Sequence, residues 1–390
     1  MKKNIYIGSL YPDSVINSMM RYKTSVDFAS NTFENSLLHG LLNYIDFDEI
    51  IVSPLIRLGF REKKGYKPFE YTYEKTKAYF IGSVNIPIIR IIFEFIRIYQ
   101  RLRCDLIEEK KNVVVYSLHS PFLLAVLLNR KRIRHSTIIV PDLPQYMSND
   151  SNIIKKFGKF IDRKIINYAL KVFNSFVVLS DFMREELPIY GKPCVRIEGI
   201  YMHDESVEEV KKEKNKTILY TGVISSRYGV FDLLEAFHSI SADDYRLWLC
   251  GSTNEKGLLK EYLEKDIRIK YFGLLPKSDI RKMQRKATLL VNPRHSNEKF
   301  TKYSFPSKTM EYLASGTATV MCKLPAIPEE YMKYLFFFED ESIEGMKNTI
   351  ISICSDDAEM LEKKGREASY FIINNKNEKI QARKIVELLK

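Results

Sequence analysis

Cysteine, histidine and tryptophan are scarce in this chain, whose 390 residues hold five, six and one of them. Cys104, Cys194, Cys250, Cys322 and Cys354 stand far apart, which excludes a cysteine-built zinc cluster and a disulfide framework and suits a reducing compartment. No uninterrupted apolar run reaches the roughly 18 residues of a membrane-spanning helix. The apolar stretch within residues 1–9 is too short for a signal peptide and reads as a first β-strand, so a cytoplasmic location is expected. Neither an internal repeat nor a low-complexity block occurs, which sets aside solenoids and extended linkers. Acidic residues are in the minority, 49 against 61 Lys and Arg, and the resulting net charge of +12 asks for an anionic partner.

What the chain has in quantity is strand–helix alternation. In the second half, residues 217–222 are an apolar run closing on Gly222, residues 231–237 an amphipathic helix, residues 246–251 a strand closing on Gly251, and residues 269–273 a short strand closing on Gly273. A helix over 277–286 and a strand over 287–293 follow. This order predicts a doubly wound parallel sheet with its ligand at the carboxyl ends of the strands. The first half repeats the pattern, with strands over 4–10, 49–53, 113–117, 137–142 and 176–180 and a helix from Asn31, as N-cap, to about Tyr44. The length exceeds what one hydrophobic core organises, so two domains are expected, 1–200 and 201–369. The boundary falls in the charged, apolar-poor stretch 199–216, and the C-terminal helix, about 370–390, is expected to return to the first domain.

Residues 303–320 are the most informative segment. Pro306-Ser307-Lys308 leads into helical residues 309–314, Gly316 supplies the helix-ending turn, and the β-branched run that follows predicts a strand. Glu311 then stands near a helix start whose amides favour anions, and its oxygens can accept from two ribose hydroxyls.

In order, Tyr220-Thr221-Gly222, Tyr228-Gly229-Val230, Cys250-Gly251, Phe272-Gly273 and Phe305 through Gly316 resemble the nucleotide-sugar half of a GT-B glycosyltransferase of family 4. The resemblance covers residues 214–352. It implies two Rossmann-like domains with parallel sheets facing a central cleft, the second holding the donor and the first the acceptor. It implies a retaining transfer, without metal or cofactor, from a nucleoside diphosphate sugar, UDP-linked by preference, to a hydroxyl of a lipid-linked oligosaccharide in bacterial surface polysaccharide synthesis. Donor binding would fall to Gly222, Arg227, Gly273, Ser307, Lys308 and Glu311, with Lys308 and Arg227 also in the catalytic group.

The chain departs from the family's pattern at three positions. The first of the paired glutamates that family members carry falls on Tyr303, leaving Glu298 as a loop substitute, and the two basic residues of the diphosphate site fall on Val223 and Tyr228. Arg227 and Lys308 are the cations left to meet the charge on the departing oxygen.

On the acceptor side, His119 follows a strand beside Pro121 and resembles the cleft histidine of the family; it is placed with the catalytic and acceptor residues, together with Asn31 and Asp142. A hydrogen-bonded structural histidine and a turn aspartate are the competing readings. Asp46-Phe47-Asp48 matches a metal-holding Asp-x-Asp pattern, but its place before a strand argues against that role. Two segments, 86–103 and 153–176, interleave Arg or Lys with Ile, Phe and Tyr, and Arg130-Lys131-Arg132-Ile133-Arg134 adds charge between them. Such helices suit peripheral contact with an anionic membrane, or else domain packing with a solvated basic face. A GT-B sugar-nucleotide epimerase or hydrolase and a non-catalytic partner subunit are the rival functions; no nucleic-acid recognition motif occurs.

Overall fold

The computed structural model of the protein describes residues 3–21, 28–54, 56, 65–107, 109–143, 153–202 and 210–389. The expected boundary residues 203–209, the residues 144–147 that follow Asp142, and the side chains of Lys155 and Lys156 lie outside what is described. The chain divides into two units, Met1–Ile200 with Glu378–Lys390, and Tyr201–Asn377.

The first unit runs β1 (Asn4–Gly8), α1 (Asp13–Arg21), α2 (Phe28–Leu42), β2 (Glu49–Val52), β3 (Gly65–Tyr66), β4 (Phe69–Tyr73), β5 (Thr76–Phe80), β6 (Ser83–Val84), α3 (Pro87–Asp105) and β7 (Lys111–Tyr116). It continues through α4 (Ser120–Asn129), β8 (Ile133–Val140), α5 (Ile153–Leu170), β9 (Ser175–Val178), α6 (Met183–Glu186) and β10 (Cys194–Arg196). Its main sheet has the order β10-β9-β8-β7-β1-β2-β5-β4. The central strands are buried along their length, as both-sides-covered parallel strands must be. The chain order reverses between β1 and β7, which makes the loops after those strands the unit's switch point.

The parallel strands carry one antiparallel edge, where β4 pairs with β5 in a hairpin that turns at Glu74, φ 52°. One expectation is corrected here. Asn31 is not an N-cap, because α2 begins at Phe28 and places Asn31 one turn inside the helix, where its Oδ1 accepts from Tyr11 N–H at 3.0 Å. A side chain that satisfies a neighbouring loop's amide has no need of the helix's own first turn.

Helix α3 is built inside out. Its fully buried stripe is Glu94, Ile98 and Leu102, while Ile89 and Ile92 stay 50% and 53% exposed. The polar residues spaced along the helix face the protein: Arg101 pairs with buried Glu49, and Glu94 lies between Arg90 and His119. Ile89, Ile91, Ile92 and Ile96 therefore form the outer face.

The second unit runs β11 (Lys216–Thr221), α7 (Val230–His238), β12 (Tyr245–Cys250), α8 (Lys256–Lys265), β13 (Ile269–Tyr271), α9 (Lys277–Lys286), β14 (Leu289–Asn292), α10 (Ser307–Ala314), β15 (Thr319–Cys322), β16 (Phe336–Phe338), α11 (Ile343–Ser355) and α12 (Ala358–Asn375). Its six strands are parallel in the order β13-β12-β11-β14-β15-β16, so the switch point lies between β11 and β14. Helix α12 packs on α10 within this unit, and the chain rejoins the first unit at Glu378, where α13 (Glu378–Glu387) packs on α2.

Candidate functional site

Three strand-end glycines line one edge of the second unit's sheet, with φ of 139° at Gly222, 142° at Gly251 and 68° at Gly273. They are coupled in series: Gly222 N–H donates to Cys250 O and Gly251 N–H to Gly273 O, both at 2.7 Å. Gly222 consequently offers room rather than a free amide. A Cβ there would overlap Cε and Nζ of Lys308, so the lysine stem lies directly across the glycine.

Helix α10 holds that lysine in place. Its Tyr312 is fully buried, with the hydroxyl accepting from Thr221 N–H at 2.8 Å, which pins the helix over the end of β11. Ser307 opens the helix and is exposed, and Glu311, one turn on, is exposed as well. Among the described residues no hydrogen bond or ion pair holds the half-buried Lys308. Burial lowers its pKa, Glu311 opposes that shift, and Arg294 adds to it. A cation placed so has been given a post but no counter-ion.

Arg294, which sequence reasoning did not single out, stands across the switch point from Gly222, two residues past β14. Its guanidinium lies 4.8 Å from the Tyr228 ring centroid and 5.3 Å from that of Phe300. Arg227, exposed in a 3-10 turn, lies 4.8 Å from the same Phe300 ring. The only sequence signal for Arg294 was its place after a strand-ending Asn-Pro. Glu298 is exposed at the start of another 3-10 turn, and Tyr303 closes that turn with its backbone.

The loop that carries Arg294 is firmly tied. His295 meets Asp232 through Nε2 at 2.6 Å and Glu341 through Nδ1 at 3.3 Å, and Glu341 also accepts from Ser296 N–H at 2.9 Å. Buried Cys322 approaches the same group, with ligand atoms of His295, Cys322 and Glu341 within 4.8 Å of one another. Both ring nitrogens of His295 have partners already, so this cluster serves as an anchor by hydrogen bonding.

Residues 202–370 match the family model described as Glycosyl transferases group 1. The second unit carries a glycosyltransferase group 1 domain. None of the curated proteins matches the chain in sequence. HepE of Anabaena, solved in complex with UDP, has a TM-score of 0.64 at 11% identity, covering 100% of this chain and 99% of that one. An α,α-trehalose-phosphate synthase (UDP-forming) from Burkholderia xenovorans, in complex with glucose-6-phosphate, has a TM-score of 0.66 at 8% identity, covering 100% of both chains. The lipopolysaccharide outer core galactosyltransferase WaaB has a TM-score of 0.61 at 13% identity over 99% of both. At these identities the likeness is one of fold, and the fold is the two-domain GT-B arrangement of parallel sheets.

In the first unit, the acceptor-side candidates gather at the carboxyl edge of the adjacent parallel strands β1, β7 and β8. His119 follows β7, and its Nε2 meets Glu94 Oε2 at 2.8 Å, with the ring edge-on to Phe122. The histidine is thus steered by a buried carboxylate, leaving its ring 28% exposed. Half-buried Asp142 follows β8. Asn31 reaches the loop after β1 through Tyr11.

Sequence reasoning missed Glu34 beside them. Fully buried, it accepts from Ser9 N–H at 2.9 Å, Ser9 Oγ–H at 2.6 Å and Tyr6 O–H at 3.1 Å. Burial pushes its carboxyl up to about 7 against the pull of these donors. Away from this edge, Asp48 pairs with Lys111 at 2.9 Å at the amino end of β2.

Proposed function

We propose that the protein transfers a hexosyl group with retention, and without a metal, from a nucleoside diphosphate sugar, UDP-linked by preference, to a hydroxyl of a lipid-linked oligosaccharide in bacterial surface polysaccharide synthesis. The observation that carries the donor half is Lys308, laid across Gly222 at the switch point of the group 1 domain with no carboxylate among the described residues bound to it. In this reading Glu311 takes the ribose hydroxyls, Ser307, Lys308 and Arg227 the diphosphate, and Gly222 and Gly273 give the donor close access to the sheet edge. The bond from the sugar's anomeric carbon to the diphosphate breaks with its electron pair staying on the diphosphate oxygen. The acceptor oxygen then bonds that carbon, and its proton leaves with the diphosphate. Positioned cations lower the barrier by meeting charge where it accumulates. His119, oriented by Glu94, together with Asp142 and Asn31, serves the acceptor.

The membrane part of the proposal rests on the first unit's helices. Among the described residues no helix is long and apolar enough to cross a membrane. Helix α3 turns Ile89, Ile91, Ile92 and Ile96 outward, α4 packs against it with Leu128 exposed, and α5 packs on α4 with Phe160, Ile161 and Tyr168 exposed among Lys159, Arg163 and Lys164. Apolar side chains set among cations fit the interface of an anionic bilayer, on the inner face of the cell membrane.

Thermal shift against UDP-, GDP-, ADP- and dTDP-sugars tests the donor half. Ligand at about 100 times its Kd adds about 2.7 kcal/mol to the native state, which for a unit of this size is a rise of roughly 5–10 °C. The Glu311→Ala variant should fold normally, because the side chain is exposed, and should lose most of that rise. No response to any of the four sugars, or a full response from the variant, would refute the assignment.

A further inference from the structure

We infer that Arg294 is a donor-binding residue, an aromatic-clamped guanidinium that meets the charge by which a nucleoside diphosphate exceeds a monophosphate. This rests on the donor reading above and adds to it a residue and a selectivity.

The first ground is electrostatic. Three other half-buried arginines are supplied with carboxylates: Arg101 with Glu49 and Glu70, Arg196 with Asp181 and Glu198, Arg268 with Asp266. Arg294 has two aromatic rings instead, and its Nε is buried without a hydrogen-bond partner among the described residues. Burial depresses its pKa, and Arg227 depresses it further. Arg294 in turn raises the energy of charged Lys308. Three cations that repel one another, one with an orphaned donor, form a receptor for an anion that is still to arrive.

The second ground is position. Arg294 and Gly222 flank β14 and β11, the strands between which the order of the sheet reverses. The side chain is presented by a loop with little freedom: His295 is bonded on both ring nitrogens, and a Cβ on Gly229 would overlap Pro293 O. A guanidinium stacked on rings keeps its planar fork aimed, so less order is lost when it grips phosphate oxygens in pairs.

The third ground is charge balance. A nucleoside diphosphate sugar, like a nucleoside monophosphate, carries about two negative charges at neutral pH, and the diphosphate that departs from the sugar carries about three, since the second phosphate ionisation lies near 6. Arg227, Lys308 and Arg294 match the larger number. They also stand in for the cations that Val223 and Tyr228 do not supply, Tyr228 lending its ring to the clamp instead.

Calorimetric titration of the full chain with UDP and UMP tests the inference, with GDP and GMP used if the parent prefers guanine. In Arg294→Met, UDP affinity should fall about 10- to 100-fold and UMP affinity less than about threefold. Arg294→Lys should recover only part of the loss. The ligand-free Arg294→Met protein should melt at or above the parent's temperature, because an unpaired buried charge has been removed. UDP binding within about twofold of the parent overturns the inference. So does an equal loss of UDP and UMP with a lowered melting temperature, which marks a structural residue. A parent that binds none of UDP, GDP, ADP and dTDP refutes the donor reading itself, and this inference with it.

Discussion

Gly222→Ala separates the two services that this glycine performs. At φ 139° an L residue is strained, at a cost of about 1–3 kcal/mol, or roughly 2–12 °C in melting temperature for a unit of this size. The new methyl group would also occupy the space of Lys308 Cε and Nζ. The lysine end is flexible and the sheet is not, so the side chain swings away and the fold survives. Loss of one charged hydrogen bond of about 1.5–3 kcal/mol then lowers UDP affinity about 10- to 150-fold. Lys308→Ala should reach the same loss without the drop in melting temperature. In the double variant the steric conflict is absent, so Gly222→Ala should cost stability again but little further affinity. Calorimetry and thermal melts on the four proteins decide the matter. If Gly222→Ala binds UDP as the parent does, or if its effect on affinity persists undiminished beside Lys308→Ala, Lys308 does not act from this position.

Two further outcomes follow from the first unit. Because burial raises the Glu34 carboxyl from its ordinary 4.5 to about 7, the stability it lends is present below pH 4.5 and is lost as pH rises through 7, up to about 3 kcal/mol. Urea denaturation at pH 5 and pH 8 should show that fall in the parent and a flatter profile in Glu34→Gln; identical profiles would exclude Glu34 as the source. On the outer face of α3, Ile92→Asp should reduce sedimentation with phosphatidylglycerol vesicles about tenfold or more, since about 1.5–3 kcal/mol of apolar burial is removed, while neutral phosphatidylcholine vesicles pellet neither protein. Equal pelleting of both proteins on both lipids would end the membrane proposal.

The strand and helix elements of the second unit were open to reading because each is local. Gly222, Gly251 and Gly273 end strands where the backbone takes a positive φ that glycine adopts without strain, and apolar period and turn chemistry mark what lies between them. The β4–β5 hairpin was passed over because its partner strand is chosen by the sheet. Asn31 was misplaced by one turn because the amide it satisfies, Tyr11 N–H, is 20 residues away. In α3 the spacing of Arg90, Glu94, Arg97 and Arg101 was plain, but which side faced inward was not. That was settled by Glu49 and His119, brought to the helix by other strands.

The amino-acid order alone thus settled the α/β class, five of the six strands of the second sheet and the segment that bears Lys308 and Glu311, since these follow from neighbours along the chain. Tertiary structure alone decided that Lys308 crosses Gly222, that Arg294 joins it with no carboxylate paired to it among the described residues, and that Glu34 is sealed beneath Ser9. Charge pairing and desolvation depend on groups far apart in sequence, and only the folded sheet sets their distances.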